Sequence, residues 1–116
     1  MKLVYIAGPF SAATREGVET NIRRAEDYGI EVATLGAMPV IPHANTSRRE
    51  FESLQPYEFW IDGTKELLRR CDAVFLTDER HLSSGVRGEV EEAEARGIPV
   101  FQHLPALRRW LRGEHA

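Results

Sequence analysis

The sequence predicts an α/β fold of three layers with a four- to five-stranded parallel sheet. Three observations predict it. Short, almost wholly apolar runs occur at Leu3–Ala7, 38–41, Ala73–Leu76 and 98–101. Such runs read as strands buried on both faces, the habit of parallel sheets. Between them lie longer segments whose apolar residues recur every three or four positions, as on helices. Strands alternating with helices pair in parallel through right-handed crossovers.

Taken in order, the first run ends at Gly8-Pro9, a turn signal. Thr14 suits a helix N-cap. Val18, Ile22, Ala25, Gly29, Val32 and Leu35 form one face of a long helix, and Gly36 stops it. The second strand is closed by Pro42-His43. Residues 44–56 are polar and irregular, with room for a short helix around 48–54. Residues 57–70 read as a helix with Phe59, Trp60, Leu67 and Leu68 as core contacts, although Gly63 weakens it. After the third strand, 77–84 is a loop. Residues 85–96 form a helix with Val86, Val90 and Ala93 on one face, stopped by Gly97. The fourth strand leads to a final helix over 105–112, with Leu107, Trp110 and Leu111 apolar.

The bulk properties fit one domain over residues 1–116. A chain of 116 residues can bury a core without disulfides or metal. The net charge of −3 offers no basic field, so a nucleic acid polymer is not expected as a partner. The single cysteine, Cys71, suits a reducing compartment and reads as a small buried hydrophobe. The first apolar run is too short for a signal peptide, and no stretch could span a bilayer, so a cytoplasmic location without membrane partners is expected.

Ligands of open parallel sheets bind beyond the carboxyl ends of the strands. That rule selects the loops at 8–14, 42–49, 77–85 and 102–105. The loop Gly8-Pro9-Phe10-Ser11 is neither G-x-G-x-x-G nor a P-loop, so it is a tight turn or a ligand contact of another kind. Ser83, Ser84 and Gly85 precede a helix, where free backbone N–H groups and hydroxyls suit an anion such as a phosphate. Capping alone also explains one serine. Glu89 follows near the start of the same helix. By composition it is one solvated carboxylate among Glu91, Glu92 and Glu94.

A set of ordered motifs separates it from them: Val4-Tyr5-Ile6-Ala7-Gly8-Pro9, then Asn21 and Ala25, Pro39-Val40-Ile41-Pro42-His43, Cys71-Asp72-Ala73-Val74, and Ser84-Gly85-Val86-Arg87-Gly88-Glu89 with Ala93 and Gly97. Together they resemble the nucleoside 2-deoxyribosyltransferase family, most closely its short bacterial and phage relatives, over nearly all of the chain to about Val100. The resemblance is similar also to the deoxynucleoside 5′-monophosphate N-glycosidases. It implies a Rossmann-like or flavodoxin-like parallel sheet and cleavage or transfer at an N-glycosidic bond; no cofactor and no metal are expected. Glu89 matches the family's nucleophile. Tyr5 matches the tyrosine that hydrogen-bonds it. Ser83 stands where phosphate-recognising hydrolases carry serine, which favours a 5′-monophosphate.

The chain departs from the pattern at Thr64, where the family carries an aspartate. Asp62 is two positions away, a turn of roughly 200° on a helix. The transferases' C-terminal asparagine motif has no match after Val100. The expected roles are therefore Glu89, Tyr5 and Asp62 in catalysis. Gly8, Pro9, Phe10, His43, Ser83, Ser84 and Gly85 are expected to bind substrate. Phe10 is expected to stack on a base, His43 or Asp62 to donate or relay a proton, and Arg15 or Arg87 to pair with a phosphate. His43, His81, His103 and His115 lack metal-ligand spacing. Arg48, Arg49, Arg69, Arg70, Arg108 and Arg109 read as solvated. The expected partner is a small nucleoside or nucleotide, with a homodimer or higher homo-oligomer built on apolar Phe59, Trp60 and Trp110. A catalytically inactive nucleotide sensor of the same fold is the alternative.

Overall fold

A computed structural model describes residues 1–77 and 84–114, with Ser84 known only through its place in a helix. The elements follow the order β1 (Leu3–Ala7), α1 (Arg15–Thr34), β2 (Met38–Val40), α2 (Pro42–Asn45), a 3-10 turn (Arg49–Phe51), α3 (Tyr57–Arg69), β3 (Ala73–Leu76), α4 (Ser84–Ala95), β4 (Val100–Phe101) and α5 (Leu104–Leu111). The four strands form one all-parallel sheet in the order β2-β1-β3-β4. This is a Rossmann-like or flavodoxin-like three-layer sandwich, as the alternating pattern predicts.

Strand position follows apolarity. β1 and β3 are buried almost throughout and occupy the centre, in a register that sets Tyr5 beside Val74 and Ile6 beside Phe75. β2 and β4 are shorter and less buried, and they take the edges, where Met38 stays 49% exposed. The period-two alternation of β1 and β3 then builds two cores. Val4, Ile6, Ala73 and Phe75 face Ala25, Val32 and Leu107 of α1 and α5. Tyr5, Ala7, Val74 and Leu76 face Leu68, Val86 and Ala93 of α3 and α4.

The helix boundaries have local causes. Thr14 caps α1, its Oγ1 accepting from the Gly17 amide at 3.0 Å. Gly36 and Gly97 end α1 and α4 at φ values of 96° and 71°, which only glycine adopts freely. One expectation fails in detail. Phe59 is 50% exposed, whereas Leu68 is fully buried. Nine helical residues separate them, about half a turn in phase, so both cannot face the sheet. Ile61 and Thr64 share the Leu68 face instead. Short α2 begins at Pro42 and runs into the stretch expected to be irregular; Pro42 sits in its first turn, where no amide is needed. Among the described residues, no helix is long and apolar enough to cross a membrane.

Phe75 is the largest fully buried side chain of the first core, with Tyr28 at 5.2 Å between ring centroids. Phe75→Ala should lower stability by about 3–5 kcal/mol, read as a drop in the urea midpoint at unchanged slope.

Candidate active site

The strand order reverses direction of travel between β1 and β3, so the crevice at their carboxyl ends is the topological switch point. Three elements bring titratable groups beneath it. The alternation of β1 turns Tyr5 toward α3 and α4. On α4, Val86, Glu89, Val90 and Ala93 recur at three- and four-residue spacing, so Glu89 stands in the inward-facing stripe. The Tyr5 hydroxyl, wholly buried, donates a hydrogen bond to Glu89 Oε2. The contact spans 84 residues of sequence.

Burial is the dominant influence on this pair. It pushes the Glu89 carboxyl up to about 7, against the opposing pull of the Tyr5 hydrogen bond and of the Lys65 charge. It also lifts the Tyr5 phenol far above its ordinary range, with the Glu89 charge adding to the effect. At neutral pH the phenol is therefore a donor, and Glu89 exchanges between carboxyl and carboxylate.

α3 supplies the third wall. The Thr64 hydroxyl donates to Ile61 O at 2.9 Å and also meets the Tyr5 phenol. Thr64, where the resemblance leads one to expect an aspartate, thus lies against Tyr5. Asp62 does not replace it. Asp62 is exposed, and its carboxylate makes no hydrogen bond or ion pair among the described residues. The 200° phase difference, roughly, is the reason. Lys65 was not anticipated from sequence. Its Nζ lies 3.9 Å from where a Cβ on Gly88 would stand, so the side chain reaches α4 beside Glu89.

Other carboxylates of α4 play a different part. Glu92 accepts from Arg69 at 3.0 and 3.4 Å and from Arg96 at 2.9 Å, while Arg69 also reaches Glu66 at 3.0 Å. Glu92 and Arg69 therefore tie α4 to α3 rather than standing free in solvent. Such exposed pairs add little stability each, and their use is alignment of the two helices. The Cys71 thiol donates to Leu67 O at 3.4 Å, and burial pushes it up to about 11. It is not a thiolate nucleophile at neutral pH.

The loop after β1 forms the rim. Gly8 is required by a close approach: a Cβ there would fall 2.0 Å from Thr77 Oγ1. Thr77 N donates to Ala7 O at 2.9 Å, so the β1 and β3 ends meet at this point. Asn21 Nδ2 donates to Phe10 O at 3.1 Å and Ser11 O at 3.4 Å, which gives a physical role to a residue first noted only by its place in the pattern. Phe10 is 41% exposed. Pro9 is half-buried behind it. His43 sits behind the loop, not in front of it: the ring is buried, and Nε2 bonds Gly8 O and Pro9 O at 2.9 and 3.2 Å. That geometry engages Nε2 with the loop backbone and leaves Nδ1 buried without a partner among the described residues. Gly85 and Arg87 are exposed near the start of α4, and Arg15 pairs with Glu19 at 3.5 Å. Ser83, His81 and His115 lie outside the described residues, as does the Ser84 side chain.

Two outcomes test this geometry. Tyr5→Phe removes the donor that lowers the Glu89 pKa, so carbon-13 NMR titration of the carboxyl should find its midpoint raised above the wild-type value near 7. Folding also selects the protonated carboxyl. Its stabilising contribution is full below the ordinary value of 4.5 and is lost as pH rises through about 7. Glu89→Gln, which keeps an acceptor for Tyr5 without charge, should then gain stability over wild type at pH 8 relative to pH 5 in paired urea titrations.

No curated protein matches the chain. Residues 2–103 match a family described as a domain of unknown function, DUF7768. The match takes in all four strands, α1 to α4 and each of the residues gathered at the β1 and β3 ends, and the chain belongs to the DUF7768 family.

Proposed function

We propose that this domain cleaves or transfers at the N-glycosidic bond of a (deoxy)nucleoside or its 5′-monophosphate, with Glu89 as nucleophile. The observation that carries the reading is the Tyr5–Glu89 hydrogen bond at the switch point, which agrees with the resemblance to nucleoside 2-deoxyribosyltransferases. A half-buried carboxylate held by one donor keeps a second oxygen for chemistry. Breaking the bond develops positive charge at C1′ and the ring oxygen. In the proposed step a Glu89 oxygen bonds to C1′, the C1′–N bond breaks, and its electron pair leaves with the base, which takes up a proton. Water or an acceptor base then attacks C1′ and frees the carboxylate. Phe10 at the rim would stack on the base. The amides at the start of α4 would face a 5′-phosphate.

A second reading, a nucleotide-binding module without turnover, has one observation in its favour. Thr64 occupies the wall where an aspartate is expected, and its hydroxyl already donates to Ile61 O. A group so engaged is a poor acid for the leaving base.

Incubation with a panel of (deoxy)nucleosides and their 5′-monophosphates, followed by assay for free base, separates the two. The enzyme reading expects base release that rises with pH and levels off above about 7, as the carboxylate forms. It expects Glu89→Gln to lose at least about a hundredfold in rate with the fold intact, the scale of a positioned catalytic group. Binding without base release would support the sensor. Wild-type turnover in Glu89→Gln would sink the nucleophile assignment. An added acceptor base tells transfer from hydrolysis.

A further inference from the structure

His43 lies in the first turn of α2, and the residue is 5% exposed. Its Nε2 faces two carbonyl oxygens, those of Gly8 and Pro9. Carbonyls only accept, so the ring hydrogen belongs on Nε2. That tautomer leaves Nδ1 a bare acceptor, and Nδ1 is buried without a partner among the described residues. An orphaned buried acceptor is unfavourable, so the ring is held in place by what its other nitrogen does. The same ring meets Phe10, with centroids 6.1 Å apart and planes tilted by 52°. From α1, Asn21 grips the next two carbonyls of the loop. Four successive carbonyls, from Gly8 to Ser11, thus hang on two side chains of two helices.

The geometry points to His43 as a positioning residue: a neutral latch, protonated on Nε2, that fixes the Gly8-Pro9-Phe10 backbone and so sets the Phe10 ring at the rim of the site. The latch stands on contacts within the chain; only the use of Phe10 as a base platform rests on the N-glycosidic reading. Protonation at Nδ1 would place a charge and an unpartnered donor in a buried spot. No charged side chain of α1, β1 or the loop acts on the ring among the described residues. Burial, opposed by the two carbonyls, holds its pKa below the ordinary 6.5.

Long-range nitrogen–proton NMR correlation on the full chain reads the tautomer directly, and nitrogen relaxation reads backbone order at Gly8, Phe10 and Ser11. The wild type should show the Nε2–H tautomer and rigid loop amides, with order parameters of about 0.85. His43→Leu should drop those amides below about 0.6 while β1 keeps its values. His43→Gln, which retains an N–H donor, should restore them. An Nδ1–H tautomer overturns the latch. So does a His43→Leu loop as rigid as wild type, or equal loosening of loop and β1, which would mark His43 as plain core. If the leucine variant fails to fold, the wild-type tautomer and the glutamine variant decide. None of these readouts uses a substrate, so they stand or fall separately from base release.

Discussion

A carboxyl group buried against a phenol is the constraint on which the site depends. Glu89 interrupts an inward stripe of Val86, Val90 and Ala93, and α4 could pack more simply with an aliphatic residue there. The helix is docked nonetheless, because Tyr5 supplies a donor from the centre of the sheet. The cost of burial then appears as a carboxyl that titrates near 7 instead of 4.5. A group ionised only in part at neutral pH, at the end of central strands, is a common mark of a functional site and an uncommon feature of a packing core.

The rest of the molecule holds that pair in register. β1 and β3 are central, so Tyr5 sits on backbone that is hydrogen-bonded on both sides. Arg69 and Glu92 tie α3 to α4, which keeps Thr64 beside Tyr5 and Lys65 beside the Gly88 turn of α4. On the rim, Asn21 and His43 replace the regular hydrogen bonds that a loop lacks. Buried loop carbonyls need such partners. The loop after β1 is therefore held by α1 and α2, and the Tyr5–Glu89 pair by β1 and α4.

Most of the scaffold was legible in the sequence. The four apolar runs, the Thr14 cap and the Gly36 and Gly97 stops mark elements by local chemistry, and the structure follows them within a few residues. Tyr5 and Glu89 were legible by resemblance. Glu89 was also legible by phase, since 86, 89, 90 and 93 lie on one helical face, a signal that separates it from Glu91 and Glu94. Thr64 carried the same kind of signal, lying four residues before Leu68. Phe59 and Asp62 lie off the Leu68 face by helical phase, and both are exposed.

What the sequence determined by itself is the set of elements and their inward faces. Hydrophobic period and capping act over a few residues, and neighbours in the chain carry that information. The tertiary structure alone decided that His43 turns to the Gly8 and Pro9 carbonyls, that Glu92 bridges to Arg69, and that Lys65 reaches α4 at Gly88. It also decided that Thr77 leaves room at position 8 only for glycine. Each of these depends on distances between segments far apart in the chain. Only the packing of helices against a closed sheet sets such distances.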